Sequence, residues 1–175
     1  MRKLACGLVV LLFCAAAVAE PRGPSTPEER QRAATVIRQL EESPLSPALK
    51  QERDWIFQWI KEVPDVNSLI CTELIRPLLS SPNTPERNAM TLQSMLASAA
   101  FSMEHPDAAR DPVALLMAGT EGMLRAYENM LKQDPAKRMA FMDELREKKA
   151  EGQLTAYIEK SAVECSKRPE TRLNP

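Results

Sequence analysis

Apolar residues recur along the chain at three- and four-residue steps, the spacing of amphipathic helices. The clearest stripe runs through residues 112–132 and comprises Val113, Leu116, Met117, Thr120, Met123, Leu124, Tyr127, Met130 and Leu131. No segment alternates Val, Ile or Thr with polar residues as a half-buried strand would, and only five glycines are present. The pattern therefore predicts an all-α chain.

Five dipeptides that place an oxygen-bearing side chain before a proline predict where helices begin. The oxygen can cap free backbone amides, and proline at the first helical position gives up a donor that has no partner there. The pairs are Thr26-Pro27, Ser46-Pro47, Thr84-Pro85, Asp111-Pro112 and Asp134-Pro135. With the apolar spacing they predict helices over residues 27–42, 47–62, 66–79, 85–104, 112–132, 135–150 and 153–165. We expect a single-domain bundle of about six or seven helices with orthogonal or irregular packing.

The first 19 residues have the three-part layout of a secretory signal peptide. Arg2 and Lys3 precede an unbroken apolar run, and Ala17 and Ala19 supply small residues at the two positions that signal peptidase reads. The alternatives are an uncleaved anchor and a lipoprotein, but the run is short for a membrane span and Phe13 is too bulky to precede a processed cysteine. We expect cleavage after Ala19, a soluble mature chain without a membrane span, and a secreted or periplasmic location.

Cleavage would divide the chain into a signal peptide (1–19), a mobile linker (20–26), a helical domain (27–165) and a mobile tail (166–175). The linker and the tail are polar and contain proline. Removing 19 residues from 175 leaves 156, and losing two of 23 basic residues leaves 21 against 24 acidic ones, a formal charge near −3. Because the charge is negative and no basic run is present, we expect no nucleic-acid partner.

Two of the four cysteines, Cys6 and Cys14, would leave with the signal peptide, so that Cys71 and Cys165 remain. Exported proteins fold in oxidising compartments, where cysteine pairs form disulfides. Each remaining cysteine lies on the apolar stripe of a predicted helix. We predict a Cys71–Cys165 disulfide that ties the last helix to the third. The alternative is two free buried thiols that act as small apolar residues.

Both tryptophans lie in the stretch RDWIFQWIKEV, residues 53–63. On a helical wheel centred on Ile56, Trp55 and Trp59 fall on one side and Phe57 on the other, so the apolar arc spans about 200°. An arc this wide predicts a helix covered on two sides, and its aromatic residues are best interpreted as core. The alternative is a groove or pocket edged by Trp55 and Phe57.

Two charged residues, Glu52 and Arg53, also fall inside this apolar arc. An unpaired buried charge is very costly, so we expect both side chains to reach solvent or to pair with other charges. The candidate ligand or partner surface therefore comprises Trp55, Phe57, Trp59, Glu52 and Arg53.

Two glycines, Gly119 and Gly122, interrupt the fifth helix, and each costs about 1 kcal/mol relative to alanine in a helix interior. We interpret them as positions of close helix approach, with the matching small-residue face in LASAAFS, residues 96–102 of the fourth helix. The alternative is a local break at AGTEG, residues 118–122, that shapes a site.

No sequence motif for catalysis, cofactor binding or metal binding is present. His105 is the single histidine, and a lone histidine does not make a metal site. The methionines after the signal peptide lie at core spacings without Met-x-Met repeats, which favours an adaptable apolar core over a copper site. We therefore predict no catalytic residues, no cofactor and no metal.

The leading hypothesis is an exported, non-enzymatic helical binding protein, a protein-interaction or chaperone-like module. The alternatives are a carrier of a small apolar ligand in a cavity lined by methionine and tryptophan, and an enzyme of unrecognised type. The expected partner is thus a protein or a small apolar ligand, and no pattern specifies an oligomeric state. An exposed apolar groove would favour the module, an enclosed cavity the carrier, and a cleft with two facing acids the enzyme.

Overall fold

The computed structural model describes residues 22–167, so the predicted signal peptide and nearly all of the predicted tail lie outside the described residues. Residues 22–167 form seven α-helices and one 3₁₀ helix, with no strand among them. They are α1 (Pro27–Glu42), η1 (Pro47–Leu49), α2 (Lys50–Glu62), α3 (Arg76–Leu79), α4 (Pro85–Glu104), α5 (Pro112–Gln133), α6 (Ala140–Ala150) and α7 (Leu154–Ser166). The predicted all-α bundle is confirmed. Within this range no helix is both long and apolar enough to cross a membrane.

Three of the five predicted helix starts carry the predicted cap. At α1 the Thr26 hydroxyl accepts the Glu29 N–H while the Glu29 carboxylate accepts the Thr26 N–H, which closes a capping box. Thr84 and Asp111 accept backbone N–H groups in the first turns of α4 and α5. These helices begin where predicted because a cap depends only on neighbouring residues.

The other two proline pairs do not begin α-helices. Ser46 makes no side-chain cap bond, and Pro47 opens the short η1, which continues directly into α2. The prediction at Asp134-Pro135 is wrong, because α6 begins only at Ala140. The Met139 N–H donates instead to the hydroxyl of the buried Tyr127, at 2.9 Å, which holds the preceding turn away from helical geometry.

The predicted helix over residues 66–79 is wrong except for its last turn, α3. The start of this segment runs along α4, where the Ser102 hydroxyl accepts the Asn67 N–H at 3.1 Å and the Ser98 hydroxyl accepts the Leu69 N–H at 3.0 Å. An extended chain advances about 6.6 Å over two residues and a helix about 6 Å over four, so alternate amides can meet successive turns of α4. These bonds hold the start of the segment against α4 in a non-helical conformation.

Buried apolar side chains form two clusters, and α4 contributes to both. One cluster joins α1 and α2 to the middle of α4 through Leu96 and Ala99. The other joins α5, α6, α7 and the segment over residues 69–78 to the start of α4 through Ala89 and Met90. Helix α4 is therefore the wall shared by the two halves of the bundle.

The predicted Cys71–Cys165 disulfide is confirmed, with the two Cα atoms 5.8 Å apart. It ties the end of α7 to the segment that precedes α3, whereas the prediction placed Cys71 on a long third helix. The cysteines are separated by 94 positions in the sequence. Closing so long a loop restricts the unfolded chain, which the chain-entropy model values at about 4–5 kcal/mol.

The predicted close approach of α4 and α5 at the two glycines is also confirmed. A Cβ atom added at Gly119 would lie 2.6 Å from the Ser94 carbonyl oxygen, and one at Gly122 would lie 2.2 Å from the Ala97 Cβ. Both distances are shorter than van der Waals contact. Glycine is therefore required for α5 to lie this close to α4.

The chain ahead of α1 is joined to the end of α2, although the sequence assigns residues 20–26 to a mobile linker. The Ser25 backbone N–H and hydroxyl donate to the Asp65 carboxylate at 2.8 and 2.9 Å, and Arg30 donates to it at 2.6 Å. Burial alone would raise the pKa of Asp65, but these hydrogen bonds, that of the Ser25 N–H foremost, lower it. The mobility of the linker stays a prediction.

Gly122→Ala is expected to lower the free energy of unfolding by about 1–3 kcal/mol, because the new methyl group would overlap the Ala97 Cβ. Combining it with Ala97→Gly should restore most of the loss, because the exchange moves one methyl group across the same contact. Urea denaturation of both variants and the wild type measures this. A Gly122→Ala protein as stable as the wild type would contradict the proposed packing.

Glu86→Gln is expected to destabilise the protein at neutral pH and to have no effect in acid. The hydrogen bond from Lys137 lowers the pKa of Glu86 below its ordinary value of 4.5. A carboxyl group with a lowered folded-state pKa stabilises the fold above its unfolded-state pKa, and this contribution is lost as the pH falls through the folded-state pKa. Denaturation curves of the variant and the wild type, recorded from neutral to acidic pH, should therefore converge as the pH falls. A difference that persists unchanged into acid would contradict the assignment.

Candidate functional site

Helix α2 is covered on its α1 side and partly open on its α4 side. Ile56, Trp59 and Ile60 are buried, and they pack with α1 in the first apolar cluster. The strip opposite them is exposed and consists of Lys50, Asp54, Gln58 and Lys61. All four positions lie outside the 200° apolar arc of the helical wheel.

The two tryptophans belong to the contact between α1 and α2. Trp59 is only 3% exposed, and the half-buried Trp55 stacks on it with the ring centroids 5.9 Å apart. The Arg32 guanidinium of α1 lies 3.8 Å from the centroid of the Trp55 ring, a cation–π contact, and also forms an ion pair with Glu52 at 3.1 Å. The core interpretation is thus confirmed for Trp59, while Trp55 is covered in part by a charged side chain of α1.

Phe57 lies on the other edge of α2, and there the core interpretation is wrong. Its side chain remains 44% exposed, and the Lys61 ammonium lies 5.1 Å from the centroid of its ring. No helix within residues 22–167 packs over this edge as α1 packs over the tryptophans. A large apolar side chain is therefore left facing water.

Arg53 positions the turn beside Phe57. Its guanidinium donates to the carbonyl oxygens of Pro44 and Ser46, at 3.0 and 3.3 Å, and so fixes the connection between α1 and η1. The expectation that Glu52 and Arg53 reach solvent or pair with other charges is confirmed for Glu52. Glu52 pairs with a charge, whereas Arg53 binds backbone carbonyl groups.

A groove of 540 Å³ lies between α2, the first turns of α4 and the turn at residues 44–45. Its apolar lining comprises Pro44, Leu45, Phe57, Pro85, Ala89, Leu92 and Met95, and its polar lining comprises Arg53, Asp54, Asn88 and Thr91. We call it the α2–α4 groove. Ala89 and Met95 are buried at its base, whereas Phe57, Asp54 and Asn88 are exposed on its rim. The groove thus has an apolar base and polar groups on its rim. This arrangement suits a bound chain that inserts an apolar side chain and keeps its backbone outside the groove.

The groove brings together two of the five predicted surface residues, Phe57 and Arg53, and excludes Trp55, Trp59 and Glu52. The wall from α4 was not predicted, because Leu92 and Met95 are far from α2 in the sequence. The only sequence signal for it is the three-residue spacing of these two side chains, which also fits an ordinary core.

Acidic side chains meet in a different cleft, of 380 Å³, between α1, α4 and α5. There Arg125 donates two hydrogen bonds to the Glu41 carboxylate, at 2.7 and 3.0 Å, and this carboxylate raises the pKa of the guanidinium. Glu104 and Glu121 line the same cleft together with Arg38. The acids are interspersed with cations, and the Arg125–Glu41 pair connects α5 to α1.

Metal-binding geometry is not found in the part of the chain that the structure describes, where no three His, Cys, Asp or Glu side chains cluster to hold an ion. His105 ends α4, as predicted, and its ring lies against Phe101 with the centroids 4.6 Å apart. No family model matches the sequence, and neither the curated proteins nor the solved structures contain a significant match.

Trp59→Ala is expected to lower the free energy of unfolding by about 3–5 kcal/mol, because it empties a buried site in the first cluster. Phe57→Ala should change it by less than about 1 kcal/mol, since the side chain is largely in water. Urea denaturation measures the free energy of unfolding of both variants and so compares the two edges of α2. Equal losses would contradict the difference in exposure.

Proposed function

We propose that this protein is an exported, non-enzymatic binding module that holds apolar side chains of a protein partner in the α2–α4 groove. The single observation that supports it most is the exposed Phe57 on the edge of an open apolar groove. Burial of apolar surface contributes about 25 cal/mol per Å², so a partner that covers this edge gains affinity directly. Exposed apolar patches with a polar rim are typical of interaction sites.

Export is supported by two independent features. Residues 1–19 have the layout of a signal peptide, and the helical region contains a disulfide. Disulfides form and persist mainly in oxidising compartments. The secreted or periplasmic location is part of the proposal.

The form of the groove favours a protein partner over a small apolar ligand. A small ligand gains most from a pocket that surrounds it, whereas this groove has two helical walls and an open side. The methionines Met90, Met123, Met130 and Met142 are fully buried in the second cluster, away from the groove. A helix or a short extended segment could bury one or two side chains there and bond its backbone to the exposed Asn88.

The test uses reduced, carboxymethylated α-lactalbumin, a permanently unfolded chain rich in apolar side chains, labelled for fluorescence anisotropy. Phe57→Ser should weaken its binding at least tenfold, because the apolar edge of the groove is lost. The matched control is Val163→Ser on α7, where an equally apolar side chain is 57% exposed away from the groove, and it should change the affinity less than twofold.

Two outcomes would contradict the proposal. Either the wild type shows no binding to the unfolded chain, or Phe57→Ser and Val163→Ser weaken binding to the same extent. Parallel titration with palmitate examines the carrier alternative. Saturable binding of palmitate without binding of the unfolded chain would establish the carrier in place of the module.

A further inference from the structure

The exposed face of α2 has a charge pattern that is complementary to itself. Asp54 and Lys61 lie seven residues apart on the same strip, which places them two turns or about 10.5 Å from each other. Phe57 and Gln58 lie midway between them. A negative charge, an exposed aromatic ring and a positive charge thus follow one another along α2 from Asp54 to Lys61, and the cation of Lys50 lies one turn before Asp54.

From this pattern we propose that two copies of the chain pair through α2, antiparallel and about a twofold axis near Phe57 and Gln58. In a twofold interface residue i of one copy meets residue j of the other, and j meets i. An axis midway between positions 57 and 58 places Asp54 of each copy opposite Lys61 of the other. The interface then contains two Asp54–Lys61 ion pairs, and the two Phe57 rings come together.

The side chains of Asp54, Phe57 and Lys61 are exposed, and the polar partners of Asp54 and Lys61 are the exposed Lys50 and Gln58 of the same helix. Asp54 is 63% exposed, and its intrahelical partner Lys50 is 75% exposed. An exposed ion pair of this kind contributes little to stability, so exchanging it for one between copies carries little penalty. Covering the exposed Phe57 supplies the net gain.

The size of the contact predicts a weak dimer. Helix α2 has 13 residues and is about 20 Å long, so the area that it buries with a second copy is at the low end for specific interfaces. We therefore expect a monomer at low micromolar concentration and a dimer near millimolar concentration. Since Phe57 also borders the α2–α4 groove, the second copy covers the groove edge, and a partner has to displace it.

Sedimentation velocity at low and high protein concentration, in low salt, provides the test. Asp54→Lys and Lys61→Asp should each abolish the dimer, because each opposes like charges twice. An equimolar mixture of the two variants should form a heterodimer, and the double variant D54K/K61D should regain the homodimer, because opposite charges face each other again in both. The control is the exposed ion pair Glu164–Lys167 at the end of α7, where Glu164→Lys and Lys167→Glu should leave dimerisation unchanged.

The inference is overturned if the wild type stays monomeric near millimolar concentration, if either single variant still dimerises, or if the mixture of the two does not associate. All four substitutions lie on exposed positions, and circular dichroism confirms that each variant keeps its helices. The statement that the second copy covers the groove rests on the proposed function. The variant Lys61→Asp tests dimerisation separately from the binding of a partner. Its side chain does not line the groove, and it should bind the unfolded α-lactalbumin within twofold of the wild type although it no longer dimerises.

Discussion

The close approach of α5 to α4 is the constraint on which the rest of this bundle depends. At Gly122 there is no room for a single methyl group beside Ala97, so these two helices have essentially one way to pack. Small side chains on α4 make the approach possible, and they leave its serine hydroxyls free to bind backbone. The segment that carries Cys71 is held on α4 by Ser98 and Ser102, and the disulfide then fixes the end of α7. The positions of the elements around α4 therefore depend on the small side chains that α4 places at these contacts.

The sequence predicts the parts of this fold that local chemistry determines. Thr26, Thr84 and Asp111 cap α1, α4 and α5 with atoms a few residues away, so their starts could be predicted within a residue. The segment over residues 66–79 has a helical apolar pattern, but its amides bind hydroxyl groups some thirty positions distant. Likewise, the residues after Asp134 stay non-helical because the hydroxyl of Tyr127 takes an amide there. Local propensity is overridden where a distant side chain offers a better partner.

The candidate site shows the same limit. On the helical wheel Trp55 and Phe57 are equivalent, each about 100° from the centre of the apolar arc. Which of them is covered depends on where α1 and α4 lie, and no residue within α2 specifies that. Arg32 of α1 covers the Trp55 ring. On the α4 side, Ala89, Leu92 and Met95 line the groove but do not reach over Phe57.

The hydrogen bonds of Arg53 help to explain why the apolar groove does not collapse. Arg53 of α2 donates to the carbonyl oxygens of Pro44 and Ser46, so the wall formed by the turn at residues 44–45 is fixed to α2 by polar bonds. Side chains packed only against one another would close the gap, because a void forfeits dispersion contacts. Here the turn cannot move relative to α2 without breaking those bonds. An apolar surface with the exposed Phe57 on its rim therefore remains between α2 and α4.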